Sequence, residues 1–121
     1  MSDSVKLVFD GQDYTVRPKH VFRTARAVED VITVTEMVIL AQRNALPYAR
    51  LASAYTLALK KAGAVVAEED VFSWLFEGGE GEDQNVFKAM EVLTMILVPA
   101  SARKVFEKAG EDQGGGDVPL D

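Results

Sequence analysis

Cysteine is absent from this 121-residue chain. That excludes a disulfide framework and any thiolate nucleophile or ligand, and it fits a reducing compartment. Histidine occurs once, at His20, between Lys19 and Val21. With no second imidazole and no thiolate to complete a metal or nucleophile site, His20 reads as a surface residue. Long apolar runs are missing too. The densest, residues 92–98, falls far short of the ~20 residues that cross a bilayer. The opening MSDSVKLVFDG has no basic start followed by an apolar run, so no signal peptide is expected. Excess positive charge is also lacking. The net charge is −6, and two Gly-rich segments carry it: Glu77, Glu80, Glu82 and Asp83 in one, Glu111, Asp112, Asp117 and Asp121 in the other. Removing their combined −8 leaves +2 for the rest. A nearly neutral body predicts neither nucleic acid nor an anionic membrane as partner.

Phosphate and calcium chemistry are equally poorly served. The GGEG stretch has acidic neighbours that repel phosphate, and no Gly-Lys-Ser/Thr follows. Residues 112–117 lack the alternating oxygen ligands of a calcium loop. The remaining carboxylates are solvated or diverge along helices, which leaves no fixed pair for acid–base work. Neither a cofactor nor an enzymatic activity is expected.

What the chain does have is apolar residues, 48% of the total, spaced mostly for helices. Residues 46–63, LPYARLASAYTLALKKAG, are the centre of the reading. Tyr48, Leu51, Ala52, Tyr55, Ala58, Leu59 and Ala62 fall on one face over about four turns. Pro47 suits the first turn, Lys60 and Lys61 the carbonyl end, and Gly63 a left-handed stop. Tyr48, Leu51, Tyr55 and Leu59 are expected to pack on the apolar helix near the end of the chain. Leu57 shares the opposite side with Arg50, Ser53 and Lys60. A partner helix could lie there, or the hairpin or a second subunit could cover it.

Ahead of this helix, residues 5–9 alternate, Asp10-Gly11 signals a turn, and residues 14–17 form a second strand ended by Pro18. A helix is expected from about residue 20 to 32. Residues 31–40 read either as a buried strand or as a new helix to about residue 43. The pattern Thr33-x-x-Glu36 is a capping box and favours the helix. After Gly63, residues 64–66 read as an extended connector, and Glu68, Glu69 and Asp70 open a helix carrying Val71, Trp74 and Leu75 on one face. A solvated link, residues 77–83, leads to a helix over 84–98. Asp83 is its expected cap, and Val86, Met90, Leu93 and Leu97 its stripe. Pro99 ends or kinks that helix, and Ser101 is the expected cap of a short one to residue 109. Residues 110–121 are too polar and Gly-rich to fold alone. The fold class is therefore mainly α: an N-terminal β-hairpin, then a compact bundle of about five helices forming one domain over 1–109, then a disordered acidic tail.

Two clusters are candidates for binding. Arg17, Lys19, Arg23 and Arg26 form either a solvated helix face or a docking patch for an acidic segment, the chain's own tail included. Phe72 and Phe76, with Trp74, are either core or an exposed patch. The partner-binding candidates are Leu57, Arg23, Arg26, Phe72 and Phe76.

The order of these elements resembles a known family. The hairpin FDGQDYTVRP precedes a helix with Val28-Glu29, then come LPYARLASAYTLALKKAG, AVVAEEDVFSWLFEGG and NVFKAMEVLTMILVP. This is similar to the small tail assembly chaperones of long-tailed phages and gene transfer agents. Their recurrent features fall here on Asp10, Gly11, Tyr14, Arg17, Val28, Glu29, Gly63, Asp70 and Val71, within residues 5–99. Pro18, the lack of a glycine after the first helix, and the acidic tail depart from the family pattern. The resemblance implies a protein in the cytoplasm of an infected or lysogenic bacterium. It would bind the long, helical tape measure protein and keep it soluble while tail tube subunits assemble around it. A homo-oligomer is compatible with this role. The competing reading is a structural tail or connector subunit, although a tube subunit should be richer in strands.

Overall fold

Val5–Phe9 (β1) and Gln12–Val16 (β2) pair antiparallel, Val5 opposite Val16 and Leu7 opposite Tyr14. Asp10 and Gly11 have φ of 51° and 79°, the two left-handed positions of a tight hairpin turn. Val5, Leu7 and Val16 are buried, so the alternating apolar face is the inner one. This is a computed structural model, and it describes residues 4–98. Among them, five α-helices follow the hairpin: Pro18–Glu29 (α1), Val34–Gln42 (α2), Tyr48–Lys61 (α3), Glu68–Leu75 (α4) and Asn85–Leu97 (α5).

The helix boundaries have local causes. Helix α1 starts at Pro18, earlier than the expected residue 20, because proline's fixed φ and missing N–H suit a first helical position. It ends before residue 32. The Val31 and Ile32 amides both turn back to the Val28 carbonyl, at 2.8 and 2.9 Å, yet Ile32 stays fully buried. Thr33 then caps α2: its Oγ1 accepts from the Glu36 amide at 3.1 Å, and Glu36 Oε1 accepts from the Thr33 amide at 3.0 Å. This reciprocal pair, typically worth about 1 kcal/mol, selects helix over the strand alternative for residues 31–40. Arg50 closes the same corner, its Nη2 donating to the Val31 carbonyl at 2.7 Å and to Glu36 Oε2 at 2.9 Å. The Arg50 hydrogen bond, then the Thr33 amide, hold the Glu36 carboxyl below its ordinary pKa. That contribution is present above the unfolded-state value and fades as pH falls through the folded one.

Pro47 sits at the N-cap of α3, one residue outside the helix. At the far end the Ala64 amide bonds the Leu59 carbonyl and the Gly63 amide bonds that of Lys60, with Gly63 at φ +97°. This is a Schellman stop. Between these ends α3 is buried nearly all round, packing on α1, α4, α5 and β2. It packs on the last helix, α5, as expected, and more extensively on α4. Tyr48 departs from the expected face. It stands exposed at the first position of α3, its ring turned to Phe76, the C-cap of α4.

The link over residues 77–83 is exposed as far as its side chains are described, but it is tied down at its end. The Asn85 amide donates to the Glu77 carbonyl at 2.8 Å, and the buried Asn85 Nδ2 donates to the Trp74 carbonyl at 2.9 Å. Gly78 lies at φ +95°, and a Cβ there would come within 2.7 Å of Asn85 Oδ1. Asp83 does not cap α5. It belongs to a single 3-10 turn, Gly81–Asp83, and Gln84 takes the N-cap without a side-chain bond. The buried stripe of α5 is Val86, Ala89, Val92, Leu93 and Ile96, while Met90 and Leu97 are half-buried. A helix apolar on most sides leaves its inner face to be chosen by its neighbours, here α1, α3, α4 and β1. The expected stop at Pro99, the helix over 101–109 and the acidic tail lie outside the described residues.

Tyr55 holds the centre together. Its hydroxyl donates to the Val8 carbonyl at 2.6 Å and accepts from the Val8 amide at 3.1 Å, while its ring stacks on Trp74 at 5.4 Å. Phe9 leans on the same indole at 5.5 Å. Burial pushes the Tyr55 phenol up to about 12, with the Val8 hydrogen bond opposing it. The fold favours the neutral phenol. Its contribution is therefore complete below the unfolded-state value near ~10 and is lost as pH rises through about 12.

Two measurements follow from this geometry. Tyr55→Phe should lower the unfolding free energy by about 1–3 kcal/mol in urea titration, since it strands both backbone groups of Val8. A tyrosinate absorbance titration of the native chain should contain a component near pH 12 that Tyr55→Phe lacks.

Candidate functional site

Helix α4 alternates two apolar sets because its faces differ. Val71, Trp74 and Leu75 point into the core, while Phe72 and Phe76, one turn apart, remain 40% and 42% exposed. Core and patch were alternatives for the whole aromatic set, and the structure divides it. Phe72 and Phe76 meet edge to face at 5.3 Å, and Tyr48 extends the row by packing on Phe76 at 5.0 Å. The three rings form a ridge along the joint between α3 and α4. Each ring is held by its neighbour rather than by burial, an arrangement worth about 0.5–1.5 kcal/mol per pair.

Beside the ridge runs a shallow cleft of about 330 Å³, lined by Ala49, Ala52, Ser53, Phe72 and Ser73, with Glu68 and Glu69 at its edge. The small side chains of α3 make it. Ala49, Ala52 and Ser53 form a low strip, and Phe72 rises beside them. The two carboxylates also favour the first turn of α4, where its amide dipoles are unpaired. The outcome is an apolar, aromatic-walled trough with an anionic rim. Such a surface suits an amphipathic helix that lays apolar residues on the rings and cations toward the glutamates.

The five candidate residues fall in three places. Phe72 and Phe76 build the ridge. Leu57 is half-buried on α3, one turn beyond Ser53 on the same side, and does not line the cleft. Arg23 and Arg26 are exposed on α1. Arg26 borders a different groove, of about 450 Å³, with Val21, Phe22, Ala25, Glu29, Ile96 and Leu97. Tyr48 is the residue that sequence reasoning missed. Its spacing matched the buried face of α3, and only its place in the first turn hinted otherwise. Among the described residues no group of three His, Asp or Glu side chains could hold a metal ion. No helix among them is long and apolar enough to cross a membrane.

Comparison with protein-family models, curated proteins and solved structures yields no match.

The ridge should be separable from the fold. Phe72→Ser combined with Phe76→Ser is expected to lower the unfolding free energy by about 1–3 kcal/mol, the worth of the two ring pairs it removes, without loss of the fold. Trp74→Ala, midway between the two rings in sequence but buried, should cost more, about 3–5 kcal/mol. Urea titrations of the two variants make the comparison.

Proposed function

We propose that this chain is a tail assembly chaperone of a phage-like particle. It binds the long, helical tape measure protein and keeps it soluble until tail tube subunits enclose it. The observation that carries the proposal is the exposed ridge of Tyr48, Phe72 and Phe76 above an apolar trough with an acidic rim. A chaperone for a helical client needs a surface that covers apolar stripes reversibly, and partly exposed rings meet that need at small ordering cost. The family resemblance over residues 5–99 supplies the client's identity. On this reading the protein works in the bacterial cytoplasm, carries out no catalysis and needs no cofactor.

Co-expression with the very long helical protein encoded in the same gene cluster tests it. The chaperone should raise that protein's soluble yield and co-purify with it. Phe72→Asp combined with Phe76→Asp should abolish both effects while leaving the chaperone's circular dichroism unchanged. Unchanged client yield and no co-purification with the native chaperone would reject the proposal.

A further inference from the structure

The groove between α1 and the end of α5 has no role in the client-binding reading, and it shares no residue with the α3–α4 trough. Val21, Ala25, Ile96 and Leu97 give it an apolar lining. Phe22 stands at its border and is 74% exposed, far more than the ridge aromatics. An exposed ring beside an open apolar groove sets a knob and a hole side by side on one face.

Two charged residues line the same groove, Arg26 and Glu29. They lie three positions apart on α1, and both are exposed. The single ion pair among the described residues is that of Arg50 with Glu36, so neither Arg26 nor Glu29 is paired there. The groove is therefore apolar with one charge of each sign. A strongly acidic or strongly basic partner would satisfy one of these charges and be repelled by the other. A surface that holds a knob, a hole and both members of an ion pair is complementary to itself. Self-complementarity is what a two-fold interface requires.

We propose that this face joins two copies of the chain. Helix α1 packs antiparallel on the α1 of the second copy, about a two-fold axis near Ala25 and Arg26. In that register position 22 of one helix lies opposite position 29 of the other. Phe22 of each copy thus enters the other's groove, and Arg26 comes within one turn of the second copy's Glu29. Every contact occurs twice. Ala25, half-buried and small, lets the two helices approach closely at the axis. The pairing is independent of the client-binding reading; where both hold, one dimer presents two ridges to a long client.

Analytical ultracentrifugation of the full chain over a concentration series tests the pairing. The mass should rise with concentration from 13.2 kDa towards twice that value. Phe22→Asp, a change at an exposed side chain, should hold the mass at one chain throughout and leave the circular dichroism unaltered. Arg26→Glu and Glu29→Arg should each weaken association roughly tenfold, since each sets like charges against one another twice per dimer. An equimolar mixture of these two variants should associate again, because the acidic pair on one chain meets the basic pair on the other. That rescue separates the pairing from a groove occupied within one chain, which mixing cannot affect. A native chain of one-chain mass at every concentration would overturn the proposal. So would a dimer that survives Phe22→Asp, or charge variants that gain nothing on mixing.

Discussion

A β-hairpin of five-residue strands has too little apolar surface to persist alone in water. Here it is kept by a contact with one side chain from the other end of the core. The Tyr55 hydroxyl both donates to and accepts from Val8, and the Tyr55 ring is in turn stacked on Trp74. Three elements distant in sequence, β1, α3 and α4, therefore depend on one phenol. That stack ties α4 to the core together with the buried Val71 and Leu75, and Phe72 and Phe76 leave the surface from the same segment. A buried polar group is tolerable because both of its hydrogen-bonding capacities are used. The aromatic ridge is thus supported by an interaction buried beneath it.

Local signals in the sequence were informative. The Asp10-Gly11 turn, the Thr33–Glu36 capping box, the acidic start of α4 and the Gly63 stop each involve residues within about five positions, where backbone chemistry dictates the outcome. Contacts over long separations were not readable. Tyr55 and Val8 are 47 residues apart, and nothing in either stretch announces the pairing. Helix α5 shows a second kind of failure. With apolar residues on most sides, periodicity admits several faces, and the neighbours chose Ala89, Val92 and Ile96 over Met90 and Leu97. Tyr48 failed for a third reason. A helix's first turn can carry the right phase and still lie at the margin of the core.

The candidate site was legible in part. Phe72 and Phe76 separate from Val71, Trp74 and Leu75 by helical phase alone, but which set turns inward depends on the tertiary fold. Arg23 and Arg26 were recognisable as a basic cluster, while the apolar slot beside them needs α5 to exist at all. Leu57 is half-buried, as is Ser53, while the other residues between Leu51 and Leu59 are buried. The surface chemistry is consequently split between two regions: aromatic and acidic on α3 and α4, basic and apolar on α1 and α5.

The bond at Val8 has a further effect beyond anchoring. In an antiparallel pair, residues alternate between facing the partner strand and facing outward. Val8 turns its amide and carbonyl outward, where an unpaired strand would invite another chain to add itself. The Tyr55 hydroxyl occupies both groups. Helix α3 thereby caps the hairpin's free border from the side. A small protein with a two-stranded sheet is protected there from growing by strand addition, a useful property for one proposed to meet its client through helices.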